Sequence, residues 1–219
     1  MGTVTEELKA QLRERFRQSL SEPVELRLYL RPGTSRLVLP DGVGCETCPS
    51  FRELAEALVD ASEGLLRLTV IENHSGEVPV LEIARALETS RTTFKGLPAG
   101  YEFATLLDAI ERASSNASDL NQNTLQALAG LESDINLMVF VTPSCPYCPG
   151  AASLANRLAL ASPRVQAVTV EANEFPVLAR RFAVQGVPQT VVNQSGTFVG
   201  ALPEAAFVER VLELAGEAA

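Results

Sequence analysis

The segment TPSCPYCPG, residues 142–150, places Cys145 and Cys148 three positions apart and follows each with a proline. It lies between an apolar run, INLMVFV (135–141), and an amphipathic pattern, PGAASLANRLALA (149–161), which are typical of a strand and a helix. A cysteine pair in this setting lies at the beginning of a helix. The question is whether such a pair binds a metal, crosslinks the fold or exchanges disulfides.

A second C-x-x-C pair, Cys45 and Cys48, lies 100 residues earlier and indicates an internal repeat. It too lies between a strand-like run, VELRLYL (24–30), and a helical pattern, PSFRELAEALVDA (49–61). After each pair come a second strand, a Val-Pro dipeptide before a third strand, and a fourth strand, a turn and a closing helix. The sequence therefore predicts an α/β protein with two copies of one β-α-β-β-α unit.

The predicted boundary between the copies lies in the polar, turn-prone stretch ASSNAS (113–118), which gives units at 1–117 and 118–219. A helix is predicted ahead of each copy, at 4–20 and at about 119–130.

The first copy differs from the second in two places. An insertion, RPGTSRLVLPDGVG (31–44), precedes Cys45, and we expect it to form a small hairpin over the first cysteine pair. The distance from Cys45 to Pro79 is 34 positions, against 43 from Cys145 to Pro188. The helical stretch EFPVLARRFAV of the second copy has no counterpart in this shortened segment.

Composition narrows the classes of function. The chain has 219 residues, of which 46% are hydrophobic, so it can bury a substantial core. A net charge of −9 argues against nucleic acid and anionic membranes as partners, because both require clustered Lys and Arg. No apolar run approaches the roughly 18 residues that span a bilayer, and no export signal is visible. A cytoplasmic location is therefore expected.

All four cysteines fall within the two pairs. A shared zinc site is disfavoured because 96 residues separate Cys48 from Cys145, whereas zinc ribbons use about 15 to 20. A permanent disulfide within C-x-x-C closes almost no loop and so stabilises the fold little. The only histidine, His74, cannot complete a metal or Cys-His cluster alone. Transient redox chemistry is the favoured interpretation, with no metal.

A working thiol needs a pKa lowered from about 8.5, and the N-terminus of a helix favours a thiolate. Cys145 and Cys45 are thus the predicted nucleophiles, while Cys148 and Cys48 lie close enough to resolve the mixed disulfide. We expect the Cys145 sulfur to be exposed and largely ionised at neutral pH. Glu46 should raise the thiol pKa of the first pair, so the second pair should have the higher reduction potential.

The strand before the second pair, INLMVFV, contains no ionisable residue. We therefore expect no buried carboxylate to accept a proton there.

Two Val-Pro dipeptides, Val78-Pro79 and Val187-Pro188, follow the cysteine pairs. An isolated Val-Pro at a strand edge needs no function, but its recurrence predicts cis-prolines that leave the preceding backbone free to pair with an extended substrate. These four residues and Tyr147 form the predicted substrate-binding set. No phosphate-binding glycine loop is present, so we predict no cofactor, and electrons from NADPH would come through a separate protein.

These features resemble the thioredoxin and glutaredoxin pattern, in which a strand, CPYC and a helix are followed by GVP, a strand, a hairpin and a helix. Two such units, with CETC first, CPYC second and GLPAGYEF closing the first, resemble the protein disulfide oxidoreductases of thermophilic prokaryotes. The resemblance implies two tandem thioredoxin-fold units, each a central mixed β-sheet flanked by helices. It also implies exchange on disulfide-containing protein substrates and reduction by a thioredoxin-reductase-like flavoprotein.

By motif position, the resemblance assigns the first cysteine of each pair as the attacking thiol and the second as the resolving thiol. It assigns Pro188 and Pro79 as the cis-prolines. The predicted function is a protein-disulfide oxidoreductase of reductase or isomerase type, with the second site dominant. The insertion and the shortened segment depart from the family pattern at the first site.

A second resemblance supplies an alternative. The segment PSCPYCPGAASLANRLA (143–159) is similar to the N-terminal domain of the flavoprotein component of alkyl hydroperoxide reductase, which also contains tandem thioredoxin folds. This resemblance implies a redox adaptor that relays electrons from a flavoprotein reductase to a peroxiredoxin. A non-enzymatic module that holds client proteins in the Val-Pro groove is a third possibility.

Overall fold

The computed structural model describes residues 5–31, 45–72, 75–115 and 118–216, which form seven helices and eight strands. In chain order the elements are α1 (Glu6–Ser19), β1 (Val24–Tyr29), α2 (Cys48–Ala61), β2 (Leu66–Ile71), β3 (Val80–Arg85), β4 (Thr92–Lys95), α3 (Glu102–Ser115), α4 (Gln122–Ala129), β5 (Ile135–Val141), α5 (Cys148–Ala161), β6 (Val165–Glu171), α6 (Pro176–Arg181), β7 (Gln189–Val192), β8 (Gly196–Val199) and α7 (Glu204–Ala215).

All eight strands form one mixed sheet in the order β2-β1-β3-β4-β6-β5-β7-β8. The first four strands and the last four have the same order and the same parallel and antiparallel pairings. The predicted tandem thioredoxin-fold units are confirmed. The sequence did not predict that β4 pairs in parallel with β6, which joins the two four-stranded sheets into one.

Separate apolar cores lie in the two units. Phe16 of α1, Phe51 of α2 and Leu106 of α3 are fully buried in the first core, and Phe207 of α7 is fully buried in the second. Each such side chain contributes about 1.5–3 kcal/mol through the apolar surface that it removes from water. In the described part of the chain, no helix is long and apolar enough to cross a membrane.

The closing helix of the first unit extends into the stretch that was predicted to join the units. Helix α3 continues to Ser115, through the first residues of the stretch expected to be a turn. The buried Ser114 explains this, because its hydroxyl donates to the Glu22 carbonyl at 2.6 Å and accepts from the Ser21 N–H at 2.9 Å. The predicted boundary after residue 117 lies outside the described residues. The same holds for the insertion beyond Arg31 and for His74.

The strand directions bring both cysteine pairs to the same end of the sheet, where the strands begin or finish. Strands β1, β4, β5 and β6 run in one direction, and β3 and β7 run in the other. The cysteine pairs follow the carboxyl ends of β1 and β5, and the Val-Pro dipeptides precede the amino ends of β3 and β7. These strand ends all lie at the same end of the sheet.

Candidate active site

Each C-x-x-C pair forms a disulfide at the beginning of a helix. The Cα atoms are 5.4 Å apart in Cys45–Cys48 and 5.5 Å apart in Cys145–Cys148. The second cysteine of each pair is the first residue of α2 or α5, and a proline follows it, where a missing N–H costs little. The predicted strand, cysteine pair and helix are therefore present in both units.

The first cysteine of each pair is the more accessible one. Cys145 retains 9% of its accessible surface and Cys45 retains 6%, whereas Cys148 and Cys48 retain 0% and 3%. Cys145 is therefore less exposed than predicted. The reason is the loop before β7, whose Val187 carbonyl oxygen lies 3.6 Å from the Cys145 sulfur.

The N-termini of α2 and α5 are suited to stabilising an anion. The N-cap residues Thr47 and Tyr147 make no side-chain capping hydrogen bond, and neither first turn contains an acidic residue. The N–H groups of the first turn and the helix dipole are thus available to a thiolate on the preceding cysteine.

The peptide bonds Val78–Pro79 and Val187–Pro188 are both cis, as predicted. Each proline is buried and each valine is half-buried. Each proline carbonyl accepts a hydrogen bond from a glycine N–H in the following turn, at 3.0 Å in the first unit and 2.8 Å in the second. The two loops are thus held in the same way.

Apolar side chains are exposed at the second pair. Tyr147, between the cysteines, is 71% exposed, and Val199 of β8 is 60% exposed. Val199 pairs with Gln189, which directly follows the cis-proline. The loop of Val187 that contacts Cys145 is next to this strand pair, so the second site has an apolar surface around its attacking cysteine.

The first pair is contacted by the other unit. Glu46 is exposed, but the hydroxyl of Thr47 donates a hydrogen bond to a carboxylate oxygen of Glu174, which follows β6 in the second unit. The sequence analysis missed Glu174, since it lies in a stretch that was interpreted only as a helix. Its contact with Thr47 spans 127 positions, which no local pattern reveals.

A buried carboxyl group lies where the first unit meets the loop that leads to the second pair. Glu102, the first residue of α3, is 1% exposed, and burial raises its pKa to about 7. The preceding Tyr101 N–H donates to the Pro143 carbonyl at 3.0 Å, in the loop that leads to Cys145. The strand below the second pair contains no ionisable residue, and this carboxyl group comes from the first unit.

Glycine permits this approach between α3 and the second unit. A Cβ on Gly100 would lie 2.2 Å from the Pro143 carbonyl oxygen. Beside this contact, Glu102, Pro143 and Glu171 are among the residues that line a cavity of about 10 Å³, the space of about one water molecule.

A cavity of about 340 Å³ lies away from the predicted site residues and is lined in part by four arginines: Arg85, Arg91, Arg112 and Arg157. Each of these side chains is ion-paired with a carboxylate. The cavity therefore offers little uncompensated positive charge to an anion.

Comparisons with known proteins support the tandem arrangement. Residues 135–213 match the family described as thioredoxin domain. Over its whole length the chain is similar to a protein disulfide oxidoreductase from Aeropyrum pernix K1, with 28% identity, a TM-score of 0.83, and coverage of 100% of this chain and 97% of that one. The sequence-based resemblance to the protein disulfide oxidoreductases is confirmed.

The second resemblance also finds support. The NTD_N/C domain of the alkylhydroperoxide reductase AhpF from Enterococcus faecalis has the same fold, with 19% identity, a TM-score of 0.80, and coverage of 94% of this chain and 99% of that one. The AhpF protein of the alkyl hydroperoxide reductase from Staphylococcus epidermidis is 28% identical over 123 residues, which cover 56% of this chain and 24% of that protein. The chain spans about a quarter of the length of the curated relatives it matches.

Proposed function

We propose that this chain of two thioredoxin-fold units is a protein-disulfide oxidoreductase of reductase or isomerase type, with Cys145 and Cys148 as its dominant pair. One observation carries the proposal. The more accessible cysteine precedes a helix whose first turn has no carboxylate and whose N-cap residue makes no side-chain capping hydrogen bond, and its sulfur lies 3.6 Å from the Val187 carbonyl oxygen of the cis-proline loop. This arrangement favours a thiolate next to backbone that can bind an extended peptide.

The reaction begins at the Cys145 thiolate, which attacks one sulfur of a substrate disulfide. A mixed disulfide forms, the substrate S–S bond breaks, and the leaving thiolate takes a proton from solvent. Cys148 then loses its proton and attacks the Cys145 sulfur, which releases the second substrate thiolate and closes the Cys145–Cys148 disulfide. Two electrons pass from the dithiol to the substrate.

The groups around the second pair suit a protein substrate. We expect the backbone of Val187, before Pro188, to pair with an extended chain, and the exposed Tyr147 and Val199 to provide apolar contacts. Val78 and Pro79 would act in the same way at the first pair.

The oxidised pairs must be returned to dithiols by a separate donor. A thioredoxin-reductase-like flavoprotein would supply the two electrons, because the sequence contains no nucleotide-binding fingerprint. We place this chemistry in the cytoplasm, where disulfides are transient.

The redox adaptor is the second candidate function. The 28% identity to the AhpF protein of Staphylococcus epidermidis over 123 residues favours it. In that role the same two cysteines would pass electrons from a flavoprotein reductase to a peroxiredoxin. A non-enzymatic client-binding module would need neither the transfer of electrons from a reductase nor their transfer to a peroxiredoxin.

A disulfide-reduction assay with dithiothreitol and insulin separates these functions. Cys145→Ser should remove most of the rate, and Cys45→Ser should remove a smaller part. Unchanged rates in both variants would exclude the oxidoreductase and favour the client-binding module. Electron transfer to a peroxiredoxin without insulin reduction would favour the adaptor.

A further inference from the structure

Glu174 of the second unit connects two segments of the first unit at its cysteine pair. One carboxylate oxygen accepts a hydrogen bond from the hydroxyl of Thr47, which lies between Cys45 and Cys48. The other accepts from the Leu97 N–H at 2.8 Å, in the turn after β4. A single side chain of the second unit is therefore bonded to the loop that carries the first disulfide.

The turn that carries Glu174 is itself held firmly. The Glu174 N–H donates to a carboxylate oxygen of Glu171 at 2.6 Å. The Ala172 N–H donates to the Val141 carbonyl at 2.9 Å, at the end of the strand that leads to the second pair. The backbone of Glu174 is thus held by the second unit, while its carboxylate is bonded by the first unit.

A glycine in the first unit makes the contact possible. Gly96 has a φ of +91°, and a Cβ at this residue would lie 2.6 Å from the Glu171 Cβ and 3.3 Å from the Glu174 carboxyl carbon. Any side chain there would push the turn, and with it the Glu174 carboxylate, away from Thr47.

The contact brings negative charge to the first pair. Glu171 is 5% exposed and Glu174 is half-buried, so solvent screens their charges weakly. Burial raises the pKa of Glu174, while its hydrogen bonds from Thr47 and Leu97 oppose that rise, and the charges of Glu171 and Glu46 add to it. At the second pair, the residues between the cysteines are the uncharged Pro146 and Tyr147.

We infer that Glu174 is a positioning residue of the first cysteine pair, through which the second unit lowers the reduction potential of that pair. The inference rests on the proposed function, because it requires Cys45 and Cys48 to interconvert between disulfide and dithiol. Reduction by dithiothreitol breaks the S–S bond, adds two electrons and leaves a thiol and a thiolate on the pair. The Glu174 carboxylate, which is hydrogen-bonded to Thr47 between the two cysteines, repels that thiolate and so favours the disulfide.

The test uses the full-length chain with Cys145→Ser and Cys148→Ser, so that only the first pair reacts. Its reduction is titrated in dithiothreitol buffers, with and without Glu174→Gln. Glutamine keeps the size and an oxygen for the Leu97 N–H but removes the charge. We expect the equilibrium constant for reduction to rise roughly tenfold, equal to about 30 mV for a two-electron couple. The pH profile of Cys45 alkylation should also move to lower pH.

Variants at Glu72 and Thr47 separate the effect of Glu174 from a general effect of removing one negative charge. Glu72→Gln removes an equally negative but exposed carboxylate, ion-paired with Arg52 of α2, and should leave the potential unchanged. At the site itself, Thr47→Val removes the hydroxyl that binds Glu174 and should also raise the potential. Thr47→Ser keeps that hydroxyl and should have the reduction potential of the parent. This comparison does not depend on whether the Glu174 variant folds.

The outcomes are distinguishable. A first pair that exchanges with the buffer but has the same potential in the parent and in Glu174→Gln overturns the role of Glu174 alone. An equal shift of the second pair, measured in a Cys45→Ser, Cys48→Ser chain, also overturns it. A first pair that never exchanges in any variant overturns both this inference and the proposed activity of that pair.

Discussion

The two cysteine pairs have the same backbone setting but different surroundings. Both follow a strand, precede an uncapped helix and share an end of the sheet with a cis-proline loop. The second pair has the exposed Tyr147 between its cysteines, whereas the first has Thr47 bonded to a carboxylate of the other unit. The repeat thus preserves geometry, while the residues around each pair set its accessibility and charge.

The comparison shows that neither site is built by one unit alone. The second unit supplies Glu174 to the first pair, and the Tyr101 N–H of the first unit donates to the Pro143 carbonyl in the loop before the second pair. The difference between the pairs therefore depends on how the units are joined as well as on the four residues of each motif.

The largest expected effect concerns Glu102. Its pKa is raised from 4.5 to about 7 by burial, so its contribution to stability is complete below about pH 4.5 and is lost as the pH rises through about 7. The shift corresponds to a decline of about 3 kcal/mol in the free energy of unfolding across this window. Glu102→Gln, which cannot ionise, should remove that decline in urea titrations from pH 4.5 to 8.

Glu204 offers a matched control because it is the first residue of α7, the equivalent closing helix of the second unit. It is ion-paired with Arg157 and only partly buried. Glu204→Gln should therefore leave the decline between pH 4.5 and 7 in place. A Glu102→Gln chain whose stability has the pH dependence of the parent would show that Glu102 does not cause the decline between pH 4.5 and 7.

A pair of glycine variants tests the join between the units. Gly96→Ala introduces a Cβ at positive φ and a collision with Glu171, and should cost about 3 kcal/mol. Gly200, with a φ of +106° in the equivalent turn of the second unit, has nothing within 4 Å of such a Cβ. Gly200→Ala should therefore cost only about 1 kcal/mol. Equal losses in thermal unfolding would mean that the turn carrying Glu174 moves freely.

The reactivity of the two attacking thiols provides a smaller contrast. In reduced protein at pH 7, we expect Cys145 to react with iodoacetamide roughly tenfold faster than Cys45, because carboxylates near the first pair disfavour its thiolate. Mass spectrometry of each alkylated peptide measures both rates in one sample. Faster alkylation of Cys45 would reverse the proposed order of the sites.

The smallest effect is expected for substrate binding at the second pair. Tyr147→Ser removes the most exposed apolar group near Cys145 and should raise the KM for an unfolded protein substrate a few-fold, with little change in kcat. Thr47→Ser at the corresponding position of the first pair should have no such effect. A fall in kcat alone would assign Tyr147 to the chemistry instead of to binding.

The local features of both sites were predictable from the sequence. The cysteine pairs, the helices that follow them and the cis bonds at Pro79 and Pro188 depend on short motifs that the repeat presents twice. The roles of these residues remain predictions, which the experiments above test.

The features that escaped prediction are long-range. The pairing of β4 with β6, the bond from Thr47 to Glu174 and the burial of Glu102 all depend on how the edges of the two units meet. A polar residue such as Ser114 likewise indicated a turn, although it lies inside a helix. Composition and periodicity describe each segment but contain no signal for which distant segment will cover it.

The parallel pairing of β4 with β6 joins the two halves in one sheet. A first unit produced alone would keep its disulfide and the helix that follows it. It would lack Glu174, the acidic side chain that the second unit supplies. The carboxylate bonded to the loop of the first pair thus belongs to the other half of the chain.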